Sequence, residues 1–244
     1  VKNVITTAHR RWRTSLVKSW KKGEFRSFYK ALNLDDYDAI IDLQSNLKSA
    51  AVSKLRRGPV HGYDSKTCRE TLAHLAYTNK YSVALKQHAI ERQRELLAKV
   101  LGYQKPTSAP NYGAELSKLP TPNLDLPDRY LIFVHNASWE TKLWPIENWQ
   151  QLANKAVEQG FSILLPCGND SEFARAKLIA EKSSSAIALP KMDLNSMAAI
   201  ISKAKAAVCS DTGLAHLSAM ASTPAITLYA VTDTVLIGTV GNHQ

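Results

Sequence analysis

The chain has 244 residues, 45% of them hydrophobic, which is enough for one large core or two moderate ones. Its apolar runs fall well short of the ~18 residues that a membrane-spanning helix needs, and the first residues lack the pattern of a signal peptide. The three cysteines, Cys68, Cys167 and Cys209, are widely spaced. They fit reduced thiols in a cytosolic protein better than a disulfide framework or a zinc site.

The net charge of +10 is unevenly distributed along the chain. Residues 1–125 contain 22 basic and 11 acidic residues, whereas the remainder contains 9 and 10. A basic first half predicts an anionic partner, which could be a nucleic acid, an acidic lipid or a phosphorylated substrate.

The elements of the first half are irregularly spaced. The cation-rich stretch 10–22 predicts an amphipathic helix or an ordered basic loop. The apolar run 38–43 predicts a buried strand, and a helix is expected over 45–55. Residues 88–101 favour a helix that ends at Gly102.

Five prolines between residues 105 and 127 indicate a linker between domains. We therefore predict a first lobe over 1–104, a linker over 105–128 and a second lobe over 129–244.

The second half alternates strands with helices. We predict five strands and four helices there: strands 130–135, 161–165, 186–189, 206–210 and 224–229, and helices 146–156, 170–182, 194–204 and 212–221. Such alternation predicts an α/β fold with parallel sheets and right-handed crossovers.

Polar residues follow the strand 206–210, where ligands of open α/β sheets bind. Gly213 would let a phosphate approach the backbone, and the N–H groups and dipole of the following helix favour an anion. Thr212 adds a hydroxyl and His216 a donor, while Asp211 suits a sugar hydroxyl. The alternative interpretation is an ordinary helix cap at Asp211 and a core histidine at His216.

A second polar cluster, residues 135–145, follows the strand 130–135. Ser138 and Lys142 could hold a diphosphate, although the same residues also fit a solvated loop. Glu172, just beyond the next strand, suits a ribose diol, and its alternative is a surface charge.

Several familiar motifs are absent from the sequence. It contains no G-x-G-x-x-G, P-loop, H-E-x-x-H or G-x-S-x-G pattern. A dehydrogenase, a P-loop NTPase, a zincin and an α/β-hydrolase are therefore disfavoured. No metal site and no cofactor are expected.

Taken together, the motifs resemble those of the bacterial lipopolysaccharide heptosyltransferases. Downstream these are His135-x6-Lys142-x-Trp144-Pro145, Leu165-Pro-Cys-Gly168 with Glu172, Leu189-Pro-Lys-Met192, Asp211-Thr-Gly-Leu-Ala-His216 and Thr232-Asp233. Upstream, Tyr37-Asp-Ala-Ile-Ile-Asp-Leu-Gln44, Lys48-Ser-Ala50 and His61-Gly-Tyr-Asp64 are similar to type I heptosyltransferases in particular.

This resemblance implies a GT-B fold: two Rossmann-like lobes with parallel sheets and an active site in the cleft between them. It implies inverting transfer of L-glycero-D-manno-heptose from ADP-heptose to a Kdo sugar of lipid A, in lipopolysaccharide core biosynthesis. The enzyme would be cytoplasmic, at the cytoplasmic face of the inner membrane, with possible peripheral membrane contact.

The resemblance also assigns roles by matching position. Ser138 and Lys142 would contact the diphosphate, Glu172 the ribose and Met192 the adenine edge. Thr212 and Gly213 would cradle phosphate, with Asp211 and His216 nearby on sugar and phosphate. Four cations of the first half would face the Kdo and phosphate groups of the acceptor: Arg10, Arg11, Lys48 and Arg69.

In the family, the general base is an Asp on a Gly-rich loop near the N-terminus, which this sequence lacks. The resemblance therefore implies an incomplete first lobe and missing last helices. Without that base, we expect turnover to be absent or slower by a factor of about 10²–10⁴.

Two other functions stay open, and a third is disfavoured. A heptosyltransferase II-like enzyme would add heptose to heptose, and a non-catalytic protein would only bind sugar nucleotides. A nucleic-acid-binding module would explain the charge, but the sequence has no such motif and no aromatic stacking platform, so no nucleic-acid partner is expected.

Overall fold

The computed structural model describes residues 3–120 and 123–244, except for the side chain of Arg10. The chain divides into two compact units, Val1–Thr107 and Ser108–Gln244. Leu116 and Leu126, in the segment predicted as a linker, pack against the core of the second unit.

The first unit combines five α-helices, a 3₁₀-helix and three strands among its described residues. In chain order these are α1 (His9–Thr14), α2 (Leu16–Lys21), α3 (Glu24–Leu32), β1 (Ile40–Ile41), α4 (Leu47–Lys54), β2 (Val60–Tyr63), the 3₁₀-helix Thr71–Ala76, β3 (Asn79–Tyr81) and α5 (Ala89–Leu101). The strands form a parallel sheet in the order β1-β2-β3.

Two predicted elements of the first unit are shorter in the structure. The basic stretch is two helices, because Ser15 leaves helical geometry with φ −141° between them. The strand predicted over 38–43 is reduced to β1. Beyond it the carboxylate of Asp42 accepts hydrogen bonds from the N–H groups of Gln44 and Ser45, both at 2.9 Å, which turns the chain.

The second unit contains a five-stranded parallel sheet. In chain order its elements are the 3₁₀-helix Leu116–Lys118, β4 (Tyr130–Val134), the 3₁₀-helix Glu140–Lys142, α6 (Ile146–Glu158), β5 (Ser162–Leu165), α7 (Asp170–Ala180), β6 (Ala186–Ala188), α8 (Leu194–Lys203), β7 (Ala206–Ser210), α9 (Gly213–Met220), β8 (Ala225–Leu228) and α10 (Thr234–Ile237). The predicted alternation of strands and helices is confirmed, with bounds that agree within about two residues for every strand and helix predicted there.

The sheet of the second unit is covered on both faces. Ile132 of β4 belongs to the core formed with α8 and α9, whereas Phe133 packs on the other face against Trp149 of α6. Successive residues of a strand point to opposite faces, so a strand buried on both sides is an unbroken apolar run. That is why the segment Tyr130–Val134 has no polar interruption.

The strand order is β6-β5-β4-β7-β8. The chain winds outward from β4 through β5 and β6, then crosses to β7 on the opposite side. Val134 pairs with Cys209, which brings the carboxyl ends of β4 and β7 side by side. Ligands of doubly wound sheets bind at such a reversal.

Candidate functional site

A cavity of about 580 Å³ opens where β4 and β7 end, and we name it the β4–β7 pocket. Its polar lining residues are Asn136, Ser138, Glu172, Thr212 and His216. Its apolar lining includes Tyr112, Met192, Leu194, Met197, Leu217 and Met220. An apolar enclosure with a few convergent polar groups is the usual form of a small-molecule site.

Six of the eight predicted donor-binding residues line this pocket: Ser138, Glu172, Met192, Thr212, Gly213 and His216. The other two, Lys142 and Asp211, do not line it and instead form an ion pair with each other. The structure therefore brings together two clusters that are about 70 residues apart in the sequence, while their roles stay predictions.

The N-terminus of α9 lacks a side-chain cap. Thr212 is the N-cap residue, but its side chain accepts no hydrogen bond from the helix. Its hydroxyl is buried and has no partner among the described residues. Because the first N–H groups of a helix have no acceptor within it, those of Gly213 and Leu214 are left for another acceptor.

The space in front of Gly213 is open. A Cβ atom placed on this residue would meet no heavy atom within 4 Å. An anion can therefore approach the backbone at the positive end of the α9 dipole. The interpretation of Asp211 as an ordinary helix cap is wrong, because the N-cap is Thr212 and the Asp211 carboxylate is engaged elsewhere.

Asp211 is held by two side chains. Its Oδ2 lies 2.6 Å from Nζ of Lys142, and it also accepts a hydrogen bond from the hydroxyl of Thr232. Burial raises the pKa of Asp211, but the bonds from Lys142 and Thr232 outweigh it and hold that pKa below its usual range. Lys142 is carried by the short 3₁₀-helix after β4, so the pair connects the β4 and β7 loops.

Glu172 has a fixed orientation at the pocket wall. Its Oε2 accepts hydrogen bonds from the N–H of Gly168 at 2.6 Å and from the amide of Asn136 at 3.4 Å. Its Oε1 accepts from the amide of Asn169 at 2.9 Å. Each carboxylate oxygen can accept more than one bond, so Glu172 can still accept from a ligand.

His135 and Arg175 support the loop that follows β4. His135 is fully buried, and burial together with the nearby Arg175 lowers its pKa to about 3, so the ring is neutral. The guanidinium of Arg175, on α7, donates to the carbonyls of His135 at 3.3 Å and Trp144 at 2.5 Å. Arg175 thereby fixes both ends of the loop that carries Ser138 and Lys142.

The predicted acceptor residues all belong to the first unit. Arg10 lies in α1, but its side chain is outside the described part of the structure. Arg11 pairs with Glu24 at 3.0 Å. The side chains of Lys48 and Arg69 are exposed, and Lys48 borders a separate apolar cavity of about 580 Å³. Their role in binding the acceptor stays a prediction.

Two pocket residues have no role in the sequence-based prediction. Asn136 donates to Glu172 and, at 3.3 Å, to the carbonyl of Pro166. Tyr112 reaches the pocket from the proline-rich segment and donates its hydroxyl to the carbonyl of Val240 at 2.6 Å. Asn136 belongs to the polar cluster 135–145 and could have been found there, whereas the surroundings of Tyr112 in the sequence give no signal.

Neither a metal-binding cluster nor a membrane-spanning helix occurs among the described residues. Within residues 3–120 and 123–244, no set of three or more His, Cys, Asp or Glu side chains is placed to hold a metal ion. Over the same residues, no helix combines the length and apolar composition that crossing a membrane requires.

The second of the two α/β units thus carries an uncapped helix N-terminus and a carboxylate at its sheet reversal. The sequence profile of glycosyltransferase family 9 (heptosyltransferase) matches residues 25–244, and the chain belongs to this family. The family and the fold that the motifs predicted are therefore confirmed.

The similarity to individual relatives extends over the whole chain. Lipopolysaccharide heptosyltransferase 1 of Escherichia coli strain K12 is 42% identical over 248 residues, covering 100% of this chain and 76% of that protein. The structure of E. coli heptosyltransferase WaaC with ADP matches with a TM-score of 0.91 at 42% identity, covering 100% of this chain and 76% of that one. A structure of WaaC with ADP-2-deoxy-2-fluoro heptose matches with a TM-score of 0.86 at 41% identity, covering 97% and 76%.

Proposed function

We propose that this chain transfers L-glycero-D-manno-heptose from ADP-heptose to a Kdo sugar of the lipid A inner core. The observation that carries the proposal is the uncapped N-terminus of α9, which opens into the β4–β7 pocket. It directly follows Asp211, the ion-pair partner of Lys142. The similar E. coli enzyme is named lipopolysaccharide heptosyltransferase 1, and its structures hold ADP and an ADP-heptose analogue.

The diphosphate is assigned to the N-terminus of α9. The N–H groups of Gly213 and Leu214 and the buried, unpartnered hydroxyl of Thr212 supply hydrogen-bond donors to the phosphoryl oxygens. Ser138 and His216, both on the pocket lining, add side-chain donors. Lys142 adds a positive charge for the diphosphate. Its ion-pair partner, Asp211, is assigned to a heptose hydroxyl.

The nucleoside is assigned to the remaining lining. Glu172, with its orientation fixed by Gly168 and Asn169, accepts hydrogen bonds from the ribose hydroxyls. Met192 contacts the adenine edge, and the apolar ring of Tyr112 provides a further surface for the base.

Transfer breaks the bond between C1 of heptose and the β-phosphate oxygen, and both bonding electrons leave with ADP. A Kdo hydroxyl attacks C1 from the opposite face, which inverts the anomeric centre, and its proton passes to a general base. Lys142 and the α9 N–H groups stabilise the charge that develops on departing ADP. We propose no residue of this chain as the base.

The acceptor is assigned to the basic first unit, through Arg10, Arg11, Lys48 and Arg69. Lipid A with Kdo carries phosphates and carboxylates, which are the anions that such cations bind. Because such an acceptor is held in a lipid bilayer, we also propose that the enzyme works at the cytoplasmic face of the inner membrane.

Donor selectivity and product identity test the proposal. In calorimetry, ADP is expected to bind more tightly than UDP or GDP, and a preference for UDP or GDP would refute the assigned donor. Mass spectrometry of Kdo-lipid A incubated with ADP-heptose should show the addition of one heptose, at a rate about 10²–10⁴-fold below that of an enzyme with a general base. Product from a heptosylated acceptor alone would favour a heptosyltransferase II-like enzyme, and donor binding without any product would favour a non-catalytic binding protein.

A further inference from the structure

Helix α2 exposes an apolar face. Leu16, Val17 and Trp20 are 61%, 65% and 70% exposed. At 100° per residue, these three positions fall within a ~100° arc of the helix. Ser19 is buried and lies outside this arc, so α2 packs on the unit through another side. Large apolar side chains grouped on one exposed face indicate an interaction surface.

The same helix is surrounded by positive charge. Lys18, Lys21 and Lys22 are exposed, and residues 9–30 contain eight basic residues against one acidic residue. That acidic residue, Glu24, already accepts hydrogen bonds from Arg11 and from the indole N–H of Trp12, both at 3.0 Å. Glu24 therefore does not neutralise the lysines, and the charge around the apolar face is positive.

We propose that α2 docks on an anionic phospholipid surface through a lipid-docking face formed by Leu16, Val17 and Trp20. Lys21 borders this face, and Lys18 and Lys22 lie further round the helix. The apolar side chains enter the boundary between headgroups and acyl chains, where Trp is preferred. The lysines lie beside the anionic headgroups, and each is expected to strengthen binding by about fivefold. Because the acceptor proposed above is a lipid, the docking face rests on the proposed function for its biological setting.

Charge argues against other occupants of this face. A symmetric dimer through the lipid-docking face would bring the Lys21 side chains of the two copies close together, and like charges repel. Cores of protein interfaces are depleted in Lys, whereas membrane-binding helices are rich in it. The face therefore fits an anionic bilayer better than a second copy of the chain.

Vesicle co-sedimentation tests the docking face without donor or acceptor. The whole chain is mixed with vesicles of phosphatidylcholine and phosphatidylglycerol, and separately with phosphatidylcholine alone. The wild-type chain should bind the anionic vesicles at least about tenfold more tightly, and added salt should weaken this binding. Equal binding to both vesicles, or none to the anionic ones, would overturn the proposal.

Matched variants locate the surface. The double variant Val17→Ser/Trp20→Ser and the triple variant Lys18→Gln/Lys21→Gln/Lys22→Gln should each lose at least about tenfold in affinity for anionic vesicles. The control Leu72→Ser/Leu75→Ser removes side chains that are 62% and 66% exposed in the same unit, and it should bind as the wild type does. Equal losses in control and test variants would also overturn the proposal.

Two further measurements distinguish lipid docking from dimer formation through α2, and failure of the docking proposal from failure of the proposed function. Sedimentation velocity without vesicles should show the same mass for the wild type and the Val17→Ser/Trp20→Ser variant. A wild-type dimer that this variant dissolves would assign the face to a second copy and contradict the proposal. Calorimetry with ADP should give the same affinity for both proteins, so that loss of vesicle binding with intact ADP binding concerns α2 alone.

Discussion

The Nζ atom of Lys142 lies 2.6 Å from Oδ2 of Asp211, although the two residues belong to loops after different strands. The cation proposed for the diphosphate therefore already has an anionic partner, which also accepts from Thr232. Such a pair holds the lysine side chain in place before the donor arrives, but it also competes with phosphate for the same positive charge.

Substitutions at this pair should change ADP affinity in opposite directions. Lys142→Met should weaken ADP binding by about tenfold or more, because a charged hydrogen bond to phosphate is lost. Asp211→Asn should strengthen it by about fivefold, because the competing and repelling carboxylate charge is removed. Calorimetry measures both, with the exposed Lys155→Met as the control. Weaker ADP binding in Asp211→Asn would contradict the competition.

The carboxylate of Glu172 should be required for the ribose hydroxyls specifically. Replacing ADP by its 2′,3′-dideoxy analogue should cost the wild-type protein about tenfold in affinity. In Glu172→Gln that cost should be much smaller, since the charged acceptor is gone. The exposed Glu181→Gln, at the end of the same helix, serves as the control. If both variants discriminate the two nucleotides as the wild type does, the ribose assignment is wrong.

His135 should make the protein sensitive to mild acid. Its pKa is lowered to about 3 in the folded state by burial and by Arg175, so the unfolded chain binds the proton more readily. The stabilising effect of the neutral ring is complete above the ordinary pKa of about 6.5 and is lost as the pH falls towards 3. From pH 7 to about pH 5, the free energy of unfolding should therefore fall by roughly 2 kcal/mol.

The variant His135→Gln isolates this effect, because glutamine does not titrate. Urea unfolding at both pH values should show a decrease about 2 kcal/mol smaller than in the wild type, while contributions from carboxylates are common to both proteins. Parallel pH dependence in the two proteins would show that the ring is not buried in its neutral form.

The thiols of Cys167 and Cys209 should be unreactive in the native protein. Burial raises the pKa of each to about 11, and the thiolate is the reactive form. A thiol-specific reagent at neutral pH should therefore modify both only on unfolding, as followed by mass spectrometry. Cys167 lines the β4–β7 pocket and Cys209 is fully buried, so any slow labelling before unfolding should occur at Cys167. Rapid native labelling of Cys209 would contradict the packing of β7.

The sequence predicts the second unit well because its signals are local. The apolar run of β7 and the following Asp211-Thr-Gly segment specify a strand and the start of α9. The strand β2, Val60–Tyr63, is missed because His61 and Gly62 interrupt its apolar pattern. Gly62 is needed there, since a Cβ would lie 2.4 Å from the ring of Tyr77, and that packing is visible only in three dimensions.

In the candidate site, too, local sequence signals predict some features and only tertiary structure reveals the others. The predicted anion-binding position at Thr212 and Gly213 follows from the residue types and from their position after a strand. The pairing of Lys142 with Asp211 depends on β4 lying next to β7, and no local pattern specifies that strand order. Tyr112 reaches the pocket from a segment without periodicity, so only tertiary structure reveals it.

The β4–β7 pocket as a diphosphate site is tested most directly by Gly213→Ala. The added methyl group meets no protein atom within 4 Å, and φ at this residue is not positive, so the melting temperature should be unchanged or slightly higher. Calorimetry should then show at least about tenfold weaker binding of ADP, because the methyl group occupies the position proposed for a phosphate. Adenosine, which has no phosphate, should bind as it does to the wild type. ADP bound by Gly213→Ala as tightly as by the wild type would contradict the account.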